Sequence, residues 1–229
     1  MLNLFLPITI LFLGMIVQGA FIASEYKKHY VAASILKGTA AGLFVFTAAL
    51  GCFSKGFDLF GVLIVVGQFF GLVGDVLMSL RFIFPRSKRK TFVLGTSSFF
   101  LGHIFFIAAL ILNAKHLTVC IILGVMIAAG FLVYFLKTMK IAKVIRILGS
   151  LYLGAVFTMS VLGVDSAIFC PSAKSILFAV GAVMFAASDV LLVYNSFGAR
   201  RKFTRRVFNL SLYYLGQSLI ALCLWFDIM

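Results

Sequence analysis

The chain has 229 residues, of which 63% are hydrophobic and 11% charged, against roughly 25% charged in ordinary soluble domains. Its 20 Lys and Arg against 6 Asp and Glu give a net charge of +14, but the cations sit in short clusters between apolar stretches. That pattern excludes a soluble domain, argues against a nucleic-acid partner, and points to membrane topology and anionic lipid headgroups.

A span needs about 20 mostly apolar residues to cross the hydrocarbon. Runs of that kind predict eight transmembrane helices, near 4–24, 31–51, 58–80, 92–113, 118–136, 145–164, 174–196 and 207–226. The expected fold class is therefore all-α, a single transmembrane domain over 1–229 with short loops. The first stretch matches the later ones in length, so no cleavable signal peptide is expected. Cys52, Cys120, Cys170 and Cys223 show neither a C-x-x-C pair nor metal-ligand spacing and are expected to be small packing residues.

Lys and Arg number 2, 1, 5, 1, 4, 1 and 5 along the seven connections. The odd connections hold 16 and the even ones 3. By the positive-inside rule the odd connections are cytoplasmic and both termini lie on the other side. Short loops and compact length point to a bacterial inner membrane rather than an internal eukaryotic one.

A phrase is written twice. Gly74-Asp75-Val76-Leu77 returns 114 residues later as Ser188-Asp189-Val190-Leu191, and Leu101-Gly102-His103 returns as Leu215-Gly216-Gln217. Asp75 to His103 and Asp189 to Gln217 are both 28 residues. This predicts two four-helix repeats of like orientation, about 1–115 and 116–229, related by a pseudo-twofold axis along the membrane normal. Each repeat aims one acid at a shared place. An Asp at a helix centre costs about 2.5–3.5 kcal/mol on insertion scales, so two matched copies call for a function.

Lys37, His103, Tyr152, Tyr213 and Gln217 also fall inside spans, in the cytoplasmic half or near the centre. Gln68, Gly71, Asp75 and Ser79 form one polar or small-residue stripe on the third span. The expectation is a polar cavity open toward the cytoplasm. Lys37 has the alternatives of snorkelling to the interface or of a structural ion pair with one of the aspartates, His103 of plain packing, and the tyrosines of structural hydrogen bonding.

No G-x-S-x-G elbow, Walker loop or G-x-G-x-x-G motif occurs, and one intramembrane His cannot build a three-His zinc site. What remains is a pair of carboxyls with a Lys, a His and tyrosines. Two acids in a low-dielectric site have their proton affinities driven apart, one protonated and one ionised, which suits general acid and general base work through an oxocarbenium-like transition state. A lipid is the natural substrate, its tail among Phe and Leu and its headgroup near the basic loops.

With these residues in these spans the chain resembles the lysoplasmalogenase (YhhN-like) family of multispanning membrane proteins. The matching positions are Lys37, Gly74-Asp75, Gly102-His103, Tyr152, Ser188-Asp189 with Asn195 and Phe197, and Tyr213-Tyr214 with Gln217. Two positions depart from the family's pattern: Gly38 stands where Pro is frequent, and Phe106 where Tyr is frequent.

The resemblance implies hydrolysis of the vinyl ether bond of a lysoplasmalogen to a fatty aldehyde and a glycerophospho-alcohol. It implies Asp75 and Asp189 as the catalytic pair, with Lys37, His103, Tyr152, Asn195, Tyr213, Tyr214 and Gln217 binding or orienting substrate, and no cofactor or metal. The expected partners are a lysophospholipid and membrane lipids, with oligomeric state left open. A transporter or flippase using the intramembrane acids, a noncatalytic lipid-binding protein, and an enzyme acting on another ether or ester lipid are the rival readings.

Overall fold

The computed structural model describes residues 4–139, 142–198 and 200–226. Lys140, counted among the cations of the fifth connection, lies outside them. Among the described residues eight α-helices are long and apolar enough to cross a membrane: α1 (Phe5–Tyr26), α2 (Tyr30–Ser54), α3 (Leu59–Ile83), α4 (Lys88–Ile111), α5 (Leu117–Thr138), α6 (Lys143–Phe169), α7 (Ala173–Phe197) and α8 (Phe203–Leu222). Among the described residues there is no strand.

Most helices outrun the spans read from hydropathy. α4 and α8 each begin four residues early, at Lys88 and Phe203, and α6 continues to Phe169. Hydropathy registers only the hydrocarbon crossing of about 30 Å, whereas 25 residues of helix rise about 37 Å. The surplus turns carry the polar ends. Asp165 on the extension of α6 lies 2.8 Å from Nδ1 of His116, the residue just before α5.

Helix starts are defined locally. Asp58 caps α3 by accepting from Gly61 N at 3.1 Å, and Ser172 caps α7 in a reciprocal box with Ser175. Such caps satisfy amide groups that have no partner within their own helix. The two capping residues stand 114 positions apart.

In tertiary packing α2 lies on α3, α3 on α4, α4 on α6, α6 on α7, α7 on α8 and α8 on α2, closing a ring of six. α1 sits outside against α2 and α8, and α5 outside against α6. Large apolar side chains of α1 and α5, such as Phe12, Ile16, Ile122 and Met126, are exposed, as lipid-facing positions should be.

The tightest crossings use glycine. A Cβ on Gly102 would fall 2.8 Å from the Gly67 carbonyl oxygen, and one on Gly216 2.7 Å from that of Gly181. α3 and α4 thus meet backbone to backbone, as α7 and α8 do, at positions 114 residues apart. Close approach of this kind brings the acids of α3 and α7 deep into the ring.

Candidate active site

The stripe on α3 faces inward: Gln68, Gly71, Asp75 and Ser79 are all buried. Asp75 receives two partners from different helices. Lys37 Nζ on α2 lies 2.9 Å from Asp75 Oδ1, and Tyr213 Oη on α8 donates to Oδ2 at 2.8 Å. Lys37 is 5% exposed, so it makes a buried ion pair rather than snorkelling. Beneath it, Tyr214 Oη donates to the Lys37 carbonyl oxygen at 3.3 Å.

Asp189 on α7 has different company. Tyr152 Oη on α6 donates to its Oδ2 at 2.6 Å. Among the described residues Asp189 has no ion-pair partner, whereas Asp75 has Lys37. The two carboxyls are equally buried, and only one is balanced by a cation.

Both acids line one cavity of about 110 Å³, together with Lys37, Tyr152 and Tyr213. Its walls are apolar, with Phe99, Phe135, Phe185 and Leu132 among them. The cavity leads to a larger vestibule of about 670 Å³ at the Lys/Arg-rich end of the bundle. Arg81, Phe92, Arg206 and Asn209 are among the residues that line both spaces, and Arg81, Arg206 and Asn209 supply charged and polar groups to the neck between them.

The remaining residues expected at the site fall into three places. His103 stands behind the wall, its ring 5.3 Å from that of Tyr152 and 4.7 Å from that of Phe185. Its Nδ1 lies 2.7 Å from the Phe99 carbonyl oxygen, and since a carbonyl only accepts, Nδ1 carries a hydrogen there. Gln217 is buried against Gly71, its main-chain oxygen accepting from Gln68 Nε2 at 3.0 Å. Tyr214 supports Lys37 without lining the cavity. Asn195 lies in the outer vestibule, where its Oδ1 accepts from Lys202 N at 2.9 Å.

Phe106, where the resemblance led one to expect Tyr, is 1% exposed and packs against His103 and Phe178. It too lies off the cavity lining. The missing hydroxyl therefore belongs to the support behind the wall rather than to its surface.

Sequence reasoning missed the neck. Arg206 is held side-on by Glu25 of α1, with Nε donating to Oε1 at 2.9 Å and Nη2 to Oε2 at 3.0 Å. Asn209 Nδ2 donates to the Ser188 carbonyl oxygen at 2.6 Å, next to Asp189. A signal was present, since Arg206, Asn209 and Tyr213 follow at spacings of three and four and share a helical face. Arg81 and Arg206 had been counted only as loop cations. Among the described residues no three His, Cys, Asp or Glu side chains come together as a metal-binding set.

Fold and site together define a class: an all-helical polytopic membrane protein with two buried carboxyls in one cavity, opening at its basic end. The sequence pattern of the YhhN family matches residues 32–224, and the chain belongs to the YhhN family. No curated protein and no solved structure matches the chain.

Proposed function

We propose that the protein is a membrane hydrolase that cleaves the vinyl ether bond of lysoplasmalogens, releasing a fatty aldehyde and glycerophosphoethanolamine or glycerophosphocholine. The observation that carries this reading is the unlike surroundings of two carboxyls on one cavity. Asp75 is matched to Lys37 and Tyr213, while Asp189, among the described residues, is matched to the Tyr152 hydroxyl and to no cation. Membership of the YhhN family is consistent with it.

The reaction needs a proton delivered to carbon and a water deprotonated. Asp189, with no cation beside it, serves as the acid and protonates the alkenyl β-carbon. The electron pair of the double bond forms the new C–H bond, and the ether oxygen stabilises the resulting oxocarbenium ion. Asp75, held as a carboxylate by Lys37, takes a proton from the water that adds to this cation. The hemiacetal so formed collapses to aldehyde and alcohol as Asp75 gives its proton to the departing ether oxygen and Asp189 takes the proton of the hemiacetal hydroxyl, which returns both acids to their starting states. Each such acid–base role contributes roughly 10²–10⁴-fold in rate.

The test is incubation of purified protein with alkenyl lysolipids and their acyl counterparts, with free aldehyde and free fatty acid both measured. Aldehyde from the alkenyl lipid is the expected product. Asp75→Asn and Asp189→Asn should each lower its release by at least about 10²-fold while remaining monodisperse. Fatty acid release in place of aldehyde, or normal turnover by both variants, overturns the proposal.

A further inference from the structure

Among the described residues the vestibule is lined by seven Lys and Arg side chains against a single carboxylate, Glu25. Such an excess at the mouth of an apolar cavity concentrates anions. Two of these cations, Arg81 and Arg206, also reach the inner cavity that holds Asp75 and Asp189.

Both guanidinium groups are held in place. The side-on pair with Glu25 fixes the Arg206 plane through Nε and Nη2 and does not use Nη1. Arg81 lies 4.8 Å from the Phe82 ring centroid and 5.8 Å from that of Phe92. Its Nε is buried without a hydrogen-bond partner. A buried N–H left unsatisfied is costly, and an acceptor oxygen arriving at the neck would relieve it. Fixed, planar guanidinium groups suit the oxygens of a phosphate, which can accept two parallel bonds from one arginine.

The register along the helices adds a length. Arg81 follows Asp75 by six residues on α3, a rise of about 9 Å. Arg206 precedes Tyr213, the hydroxyl donor to Asp75, by seven residues on α8, a rise of about 10 Å. In a lysoplasmalogen, seven bonds separate the phosphorus from the alkenyl carbon that accepts the proton. At about 1.2 Å of extension per bond, that path spans roughly 8 Å. A phosphate seated at the neck thus brings the vinyl ether to the depth of Asp75, which lines the same cavity as Asp189.

We propose that Arg81 and Arg206 form the binding site for the lysolipid phosphate, and that the neck-to-carboxyl distance selects which bond is presented for cleavage. The inference rests on the lysolipid reading given above. It assigns both arginines as specificity-determining residues and Glu25 as the positioning residue for Arg206.

The experiment measures binding of the full chain in detergent to a non-cleavable 1-O-alkyl lysophosphatidylethanolamine and to the 1-O-alkylglycerol of the same chain, which lacks the phosphate. The phosphate-bearing ligand should bind at least about tenfold tighter. Arg81→Gln and Arg206→Gln should each remove about tenfold of that affinity and leave alkylglycerol binding unchanged. The unchanged neutral ligand also certifies that the variants are folded, and Arg81→Gln leaves the Glu25–Arg206 pair intact.

Inorganic phosphate should displace the lysolipid only at much higher concentration. Displacement at equal concentration assigns the neck to a soluble phosphate and overturns the lipid headgroup assignment. Equal affinity for the two lipids, or unchanged lysolipid affinity in both variants, also overturns it. Because the alkyl ether is not cleaved, binding of this pattern without aldehyde release from alkenyl lipid upholds the phosphate site and defeats the vinyl ether reading alone.

Discussion

Lys37 and Asp75 hold each other in a place where neither could remain charged alone. Breaking one side of such a buried pair costs about 3–5 kcal/mol, while replacing both partners is often close to neutral. Lys37→Met should therefore lower the thermal unfolding temperature in detergent sharply, and the Lys37→Met/Asp75→Asn double variant should recover most of the loss. A double variant no more stable than the single one would show that the loss in Lys37→Met does not come from an unbalanced charge on Asp75. Tyr152→Phe probes the other carboxyl. It keeps the ring against His103 but removes the donor to Asp189. Aldehyde release should fall roughly 10–100-fold, mainly in kcat, with about 1–3 kcal/mol of stability lost because a buried carboxyl loses its donor. A change confined to KM would place Tyr152 in substrate binding instead. The aspartates were legible in sequence because an acid in lipid is costly and these two are matched. Lys37 was legible as an ion-pair partner for one of them, though not for which, and the tyrosines only as polar residues at similar depth. Nothing in a motif distinguishes Tyr213, which touches the cavity, from Tyr214, which supports Lys37 behind it.

At the scale of helices, glycine placement decides how closely the ring closes. Gly102 and Gly67 meet through their backbones, whereas a Cβ on Gly130 of α5 would meet nothing within 4 Å. Gly102→Leu should destabilise the detergent-solubilised protein by about 1–3 kcal/mol through overpacking. Gly130→Ala should be neutral or stabilising by about 0.5–1 kcal/mol, since Ala is the better helix former. Thermal melts of the two variants side by side check the contrast, and equal losses would contradict the close crossing of α3 and α4. The number of helices and their approximate centres were readable from hydropathy, because apolar length is a local property. Their ends were not. The first turns of α4 and α8 are rich in Lys and Arg, a composition that resembles loop until a vestibule gives those turns a place.

Across the whole molecule, the basic connections between α3 and α4 and between α7 and α8 meet at the vestibule, so the charge pattern of the loops also marks the mouth of the cavity. The positive-inside rule leads to the expectation that this mouth faces the cytoplasm. With the four native cysteines replaced, Ser87→Cys should react with an impermeant thiol reagent only from the cytoplasmic side, and Lys115→Cys only from the opposite side. The reverse pattern would invert the topology and place the vestibule on the outer face. By itself the sequence determined an all-helical membrane protein with eight spans, two matched acids and a polar face on the third span. Each of these is a sum or a period over neighbouring residues, and lipid allows few other solutions for a long apolar run. Only the tertiary structure decided which hydroxyl meets which carboxyl, that Lys37 pairs with Asp75, that His103 and Gln217 stand behind the cavity wall, and that Arg81 and Arg206 form its neck. Those facts depend on the rotation and crossing of six helices about a common centre, and periodicity along one helix carries no information about its neighbours.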